Sequence, residues 1–461
     1  MSLVAPKDSH PTSTDAERHS DTARFGVALA GVTVGSAAFS VSFRALLTAT
    51  YLHIFGARNV VDAFVGLSPA WRFAVPAIGG LLAGSVSILR RSARQDVSNV
   101  MEAVVLGNVH LSLRTTVQRV SQSWLAIASG LSIGREGPLI EFGGALGAAF
   151  GRAAHLPIRR TRILVAAGTA AGFAAAYNTP FAAVLFVLET IVGIAALEAV
   201  IPTVVATVIA AMLTRALVGG GPIYGARAFA TTSPWEFASF VVVAVLGALV
   251  AGAFKRTLAM AERLFEHGRS QQPWRSVIGG LIVGLVAIRL PLVVGNGYEP
   301  LNQLLDGVFD ARLLLVLLVA KIVVTSGSVG SGIPGGIFTP VLLAGGIVGA
   351  MWGQFTALFW RAPAAHIGSY ALVGMAATTA ASIHAPLTAA VLVFELSGDY
   401  PIALPLLLVT SVAIVVSRRL GALSVYEAEL HRRGLRWRLT LEGRDIEQPR
   451  SVVLTERDIR P

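Results

Sequence analysis

Glu136 lies in Gly134-Arg135-Glu136-Gly137-Pro138, a carboxylate set between glycines inside a long apolar stretch. A second glycine-rich interruption, Gly330-Ser331-Gly332-Ile333-Pro334-Gly335-Gly336, falls in the other half of the chain. Glycine and proline release the backbone from the helical ladder, so the amides that open the next helix point outward without intrahelical partners. Together with the positive end of the helix dipole, such amides bind anions. Apolar helical stretches follow both interruptions, Leu139 to Phe150 and Ile337 to Phe355. Two such helix starts aimed at one point would hold an anion without a full positive charge. Glu136 would then be a tethered anion for the same site, released when a proton neutralises it. Two plainer readings stand beside this one: glycines that only let helices approach closely, and a salt bridge between Glu136 and Arg135.

The elements that position these residues are read from composition. Of 461 residues, 54% are apolar and 14% charged, which describes a polytopic membrane protein and no ordinary soluble domain. Charge-free runs extend over Phe25–Phe43, Phe73–Leu89, Ile163–Leu188, Phe237–Phe254, Ile322–Trp360, Ala362–Phe394 and Ile402–Ser417. A spanning helix needs about 20 such residues, so the longest runs must hold more than one element. In a soluble protein the net charge of +11 would suggest nucleic acid. Here the basic residues cluster between apolar runs, at Arg90–Arg94, Arg152–Arg162, Lys255–Arg256 and Arg418–Arg438, as cytoplasmic loops require. A nucleic-acid partner is not expected; the lipid bilayer is. Interrupted helices at corresponding places in two halves are the sequence mark of an ion site near the bilayer midplane.

Those halves are visible as an internal repeat. Laid over Gly374–Glu395 without a gap, Gly168–Glu189 matches Gly168 with Gly374, Pro180 with Pro386 and Glu189 with Glu395. The expected organisation is a polar, disordered tail over residues 1–24, a membrane domain over 25–426, and a polar tail over 427–461 that reads as a linker or stub. Leu435–Leu441 alternates within that last tail. His384, at the repeat position of Asn178, reads as a packed polar residue. Asp306, Asp310 and Glu299 read as solvated loop carboxylates. Cysteine is absent, and no HExxH, Walker or CxxC pattern occurs, so no metal or cofactor is expected. An intramembrane enzyme built on Ser331 or His384 would need a nucleophile beside a base, and no serine–histidine spacing suggests one. The chain is not read as an enzyme.

Taken together, these motifs resemble the CLC family of chloride channels and proton-coupled chloride exchangers, over about Phe25 to Tyr426. The resemblance implies an all-α polytopic membrane protein of two inverted repeats of tilted, partly broken helices, assembled as a homodimer with one pore per subunit. It implies multi-pass residence in the cell membrane, with chloride or a similar small anion and protons as the transported species. Gly134–Pro138 resembles the family's glutamate gate, which makes Glu136 the gating and proton-transfer residue, flanked by Gly134, Arg135 and Gly137. Gly330–Pro340 resembles the anion-binding loop in which the amides of Ile337 and Phe338 contact the anion. Tyr426 falls where a tyrosine hydroxyl donates to it, and Ala176–Pro180, ending at Glu189, is also similar.

Two departures bear on function. In place of the family's first loop the chain has Arg94-Gln95-Asp96-Val97-Ser98-Asn99, with Gln95 at the usual serine position. A glutamine amide still donates to an anion. The usual inner glutamate, directly after the position of Glu189, is Thr190, which delivers no proton at accessible pH. The residues thus favour a proton-coupled anion exchanger gated by Glu136, with a passive, pH-gated anion channel as the alternative and Thr190 or Glu189 marking the inner proton position.

Overall fold

The computed structural model describes residues 15–88, 100, 111–192, 197–225, 235–266, 273–359, 365–432, 436–440 and 443–447. Apolar backbone in lipid must satisfy its own N–H and C=O groups, so the described membrane region is built of helices joined by short non-helical segments. The first half comprises α1 (Asp15–Thr50), α2 (Val60–Gly66), α3 (Pro69–Ile88), α4 (Leu113–Ala128), α5 (Glu136–Ala153), α6 (Ile158–Tyr177), α7 (Pro180–Phe186) and α8 (Leu197–Val218). The second comprises α9 (Glu236–Glu266), α10 (Pro273–Ala287), α11 (Tyr298–Leu305), α12 (Ala311–Gly330), α13 (Phe338–Ala357), α14 (Ala365–Ile383), α15 (Pro386–Ser397) and α16 (Ala403–Arg419), and α17 (Val425–Arg432) follows. Among the described residues, six helices are long and apolar enough to cross a membrane, and several shorter apolar helices accompany them. As the charge-free runs require, Ile163–Leu188, Ile322–Trp360 and Ala362–Phe394 each hold parts of two helices.

The halves are two inverted repeats, and their correspondence runs well beyond the segment legible in sequence. α1 packs on α6 and α8 as α9 packs on α14 and α16. Gly143 of α5 and Gly168 of α6 face each other so closely that a Cβ on either would strike the other's carbonyl oxygen, and Gly345 and Gly374 do the same between α13 and α14. This is the small-residue packing expected of membrane helices. Asn178 and His384 close α6 and α14 in the same left-handed conformation, φ 57° and 56°, and Pro180 and Pro386 then open α7 and α15 at their first turns. Beyond Phe186, α7 runs on as a π-helical turn, Val187–Val192, which carries Glu189.

Carboxylates cross-link the repeats. Glu189 accepts from the N–H of Leu387 (3.1 Å) and Thr388 (2.7 Å) at the start of α15. Its counterpart Glu395 accepts from the N–H of Phe181 (3.1 Å) and Ala182 (2.8 Å) at the start of α7. Each carboxylate thus satisfies two orphan amides of the opposite repeat.

Three expectations are corrected. Residues 15–24 belong to α1 rather than to a disordered tail, and residues 1–14 of that tail lie outside the described residues. Residues 427–432 continue α17, and Arg436–Thr440 pairs antiparallel with Gly443–Glu447, so the tail holds a hairpin in an otherwise helical chain; the Leu435–Leu441 alternation is the period-two signal of that strand. Glu299 is no loop residue: it lies in α11, whose Leu301, Leu304 and Leu305 are buried, so the short amphipathic helix draws its neighbours inward. Removing one reciprocal cap leaves two amides unanswered, so Glu395→Ala is expected to destabilise the protein by roughly 1–3 kcal/mol. Thermal unfolding of the purified protein should show a lowered midpoint, with a similar drop for Glu189→Ala.

Candidate functional site

Gly134 and Gly336 hold the two interrupted segments together. The Gly134 N–H donates to Gly336 O at 2.6 Å and the Gly336 N–H to Gly134 O at 3.0 Å, an isolated antiparallel bridge between repeats. On either side of it the motifs correspond residue by residue. Gly134-Arg135-Glu136-Gly137-Pro138 faces Gly336-Ile337-Phe338-Thr339-Pro340, and Gly130 and Gly332 upstream both take positive φ, 86° and 91°. The bridge brings the N-termini of α5 and α13 to one place.

Glu136 enters that place from the first repeat. Its side chain is 2% exposed. Oε1 accepts from the N–H of Phe338 (2.8 Å) and Thr339 (3.2 Å), and Oε2 from the Thr339 hydroxyl (3.2 Å). The carboxylate therefore occupies the start of α13 as a tethered anion. A Cβ on Gly134 or Gly336 would collide with it, and one on Gly137 would approach Gly336 N, so side chains at these positions would close the cradle. Arg135, the alternative partner, turns elsewhere: its guanidinium lies 5.6 Å from the centroid of the Tyr298 ring.

Below the carboxylate opens a cavity of about 420 Å³, lined in part by Glu136, Gly137, Thr190, Ile337, Phe338 and Tyr426. These six, singled out from both halves and from the end of the membrane region, therefore meet in one space, whereas Gly134, Arg135 and Glu189 are not in its wall. Gln95 and Ser98 lie outside the described residues. Glu189 is engaged at the start of α15, where the Thr388 hydroxyl also donates to it at 2.6 Å. Thr190 is buried and donates its hydroxyl to Phe186 O.

Sequence reasoning missed two members of the site. Thr339 holds Glu136 through both its amide and its hydroxyl, and Tyr177 OH lies 2.8 Å from that hydroxyl. Around Phe338 stand Phe173, Tyr177 and Phe186, with Tyr426 against Phe186 at 6.0 Å. The signal for Tyr177 was present: a lone tyrosine ending an alanine-rich run just before the repeat's Asn178.

The helix carrying Tyr426 is fixed at its start by a reciprocal cap. Ser424 N–H donates to Glu427 Oε2 (2.7 Å), and Glu427 N–H donates to Ser424 Oγ (3.1 Å). Burial pushes the Glu427 carboxyl upward, but hydrogen bonds from His384 and Ser424 prevail and hold it at about 2. Because this value is depressed, the cap is intact above the ordinary glutamate range and is lost only as pH falls toward about 2. His384 Nδ1 sits 3.4 Å from Glu427 and Nε2 3.2 Å from Ser417 Oγ, the packed polar role expected of it.

Comparison with known proteins places this geometry in context. The family described as voltage gated chloride channel matches residues 78–418. A ClcB-like protein of Ralstonia nicotianae is 34% identical over 414 residues, covering 88% of this chain and 96% of that protein. The voltage-gated ClC-type chloride channel ClcB of Citrobacter koseri is 31% identical over 383 residues, 80% of this chain and 89% of that one. Among solved structures, a slow cyanobacterial Cl⁻/H⁺ antiporter superposes with a TM-score of 0.79 at 24% identity, over 89% of this chain and 98% of its own. A CLC-type fluoride/proton antiporter gives 0.69 at 21% identity, over 90% and 98%. Gly336→Ala should displace the Glu136 carboxylate from Phe338 N and Thr339 N. A crystal structure of the variant with that carboxylate unmoved would remove the steric argument.

Proposed function

Because the chain belongs to the voltage gated chloride channel family, we propose that it exchanges a small inorganic anion, chloride foremost, for protons across the membrane, with Glu136 as the protonatable gate. The observation that carries this reading is the Glu136 carboxylate on the amides of Phe338 and Thr339, at a helix start suited to a free anion. Two anions repel at one site, so the carboxylate must leave before a transported anion takes its amides. Protonation abolishes its charge and its competition for them. The ionised carboxylate and the transported anion become alternatives at a single locus, so proton uptake is linked to anion occupancy, and that linkage is the physical content of coupling.

The anion's own contacts follow from the same cavity. The amides of Ile337 and Phe338 open α13, Tyr426 brings its phenol from α17, and Gly134, Arg135 and Gly137 present the opposing helix start. Gln95 enters this reading by the family resemblance alone, at the position where that resemblance expects a serine. A homodimer with one such pore in each subunit belongs to this reading, and light scattering on the detergent-solubilised protein should return twice 48.1 kDa of polypeptide.

Glu136→Gln is the decisive variant. In liposomes it should retain anion flux, lose the pH dependence of that flux, and carry no protons. The wild-type reversal potential, taken under a fixed chloride gradient, should move with the proton gradient. A potential pinned at the chloride value would convert the protein to a channel with a pH-sensitive gate.

A further inference from the structure

Exchange requires that protons reach Glu136 from the inner side, and neither residue at the expected inner position is suited to bring them. Thr190 has only a hydroxyl, committed to Phe186 O, and Glu189 spans the amides of Leu387 and Thr388. The central cavity has two further carboxylates in its wall, Glu141 and Glu262. Glu141 is engaged by Arg119, whose Nε stands 2.6 Å from Oε1.

Glu262 lies where two cavities meet. A second cavity, of about 390 Å³, adjoins the first, and Leu258, Glu262 and Val425 line both. Of these three, Glu262 is the one with a titratable group. Its position is set by the broken helix: a Cβ on Gly330, the last residue of α12, would stand 2.8 Å from Ala261 Cβ and 3.1 Å from Glu262 N, so the bare glycine lets α9 press against the interrupted segment. Lys255, Arg263 and His431 face the second cavity. With Arg256 beside Lys255 and Arg418 and Arg419 ending α16, they mark this as the cytoplasmic side. The charged and titratable groups that share Glu262's surroundings are therefore Arg119, Glu136, Glu141 and Tyr426 on one side and Lys255, Arg263 and His431 on the other.

We propose that Glu262 is the inner proton station of this protein, joining the cytoplasmic cavity to the central one. Its carboxylate takes a proton from water in the inner cavity, then gives it to water in the central cavity, which delivers it to the Glu136 carboxylate. Each transfer makes one O–H bond and breaks one, and Glu262 ends as it began. Water occupies about 30 Å³ in the liquid, so either cavity has room for a short chain of molecules. The positive charges of Lys255 and Arg263 in the wall of the inner cavity draw anions into it, so proton and anion share that cavity and part at Glu262.

This inference rests on the reading of Glu136 as a proton-transfer group, and the test separates the two. Chloride release and proton uptake are recorded together from liposomes holding wild type, E262Q, E262D, E262H or E141Q. The proton-to-chloride ratio should fall by at least about tenfold in E262Q, return in E262D, and acquire a new pH dependence near neutrality in E262H. A folding defect lowers both fluxes and leaves their ratio alone, so the ratio reports the proton route. Coupled wild type with an unchanged ratio in E262Q, or a collapse confined to E141Q, overturns the assignment. An uncoupled wild type overturns the exchanger reading instead.

Discussion

An amide at the start of a helix keeps its demand for an acceptor wherever water is scarce, and this chain opens many helices inside its own core. The orphan donors of α7 and α15 are answered by Glu395 and Glu189, each reaching across from the opposite repeat. Those of α13 are answered by Glu136 in the same manner. One rule therefore governs both the scaffold and the site: carboxylates of one repeat complete helices of the other. The scaffold and the site differ in what lies beside the carboxylate. Glu189 and Glu395 lie in matched settings between the two repeats, whereas Glu136 borders a cavity.

That contrast explains why close glycine approaches and functional glycines occur in one molecule without conflict. Gly143 with Gly168, and Gly345 with Gly374, bring helices to backbone contact and fix the layer spacing. Gly134 and Gly336 use the same lack of a side chain to bring two loops within hydrogen-bond distance and to leave a space the size of a carboxylate. The packing reading and the site reading of these glycines, which compete when only the sequence is considered, describe different glycines of one structure.

Much of this was legible before any coordinates. Glu136 between glycines, the second interruption, and the register of Gly168–Glu189 on Gly374–Glu395 follow from residue type and spacing, because buried charge and helix breakers are rare in apolar sequence. The reach of the repeat back to Gly134 and Gly336 was hidden, since Arg135, Glu136 and Gly137 have diverged from Ile337, Phe338 and Thr339 while the backbone between the bridging glycine and the proline has not. Thr339 was hidden because a hydroxyl beside an amide has no pattern of its own. Glu299 was misplaced because α11 is two turns long and its apolar face is set by tertiary neighbours rather than by a long periodic run.

The Gly134–Gly336 bridge has the form of a contact between identical partners, in which residue i meets j and j meets i. Were the two halves separate copies of one gene product, each residue beside the bridge would occur twice, and a glutamate on one side would face a glutamate on the other. Two carboxylates would then face each other across the bridge, and their mutual repulsion would oppose both being ionised there. Covalent fusion removes that obligation. With both halves in a single chain, Glu136 faces Phe338, and the carboxylate and the amides that hold it are encoded independently. An arrangement in which one half supplies the carboxylate and the other supplies the amides that hold it is thus a property that duplication makes available and exact symmetry forbids.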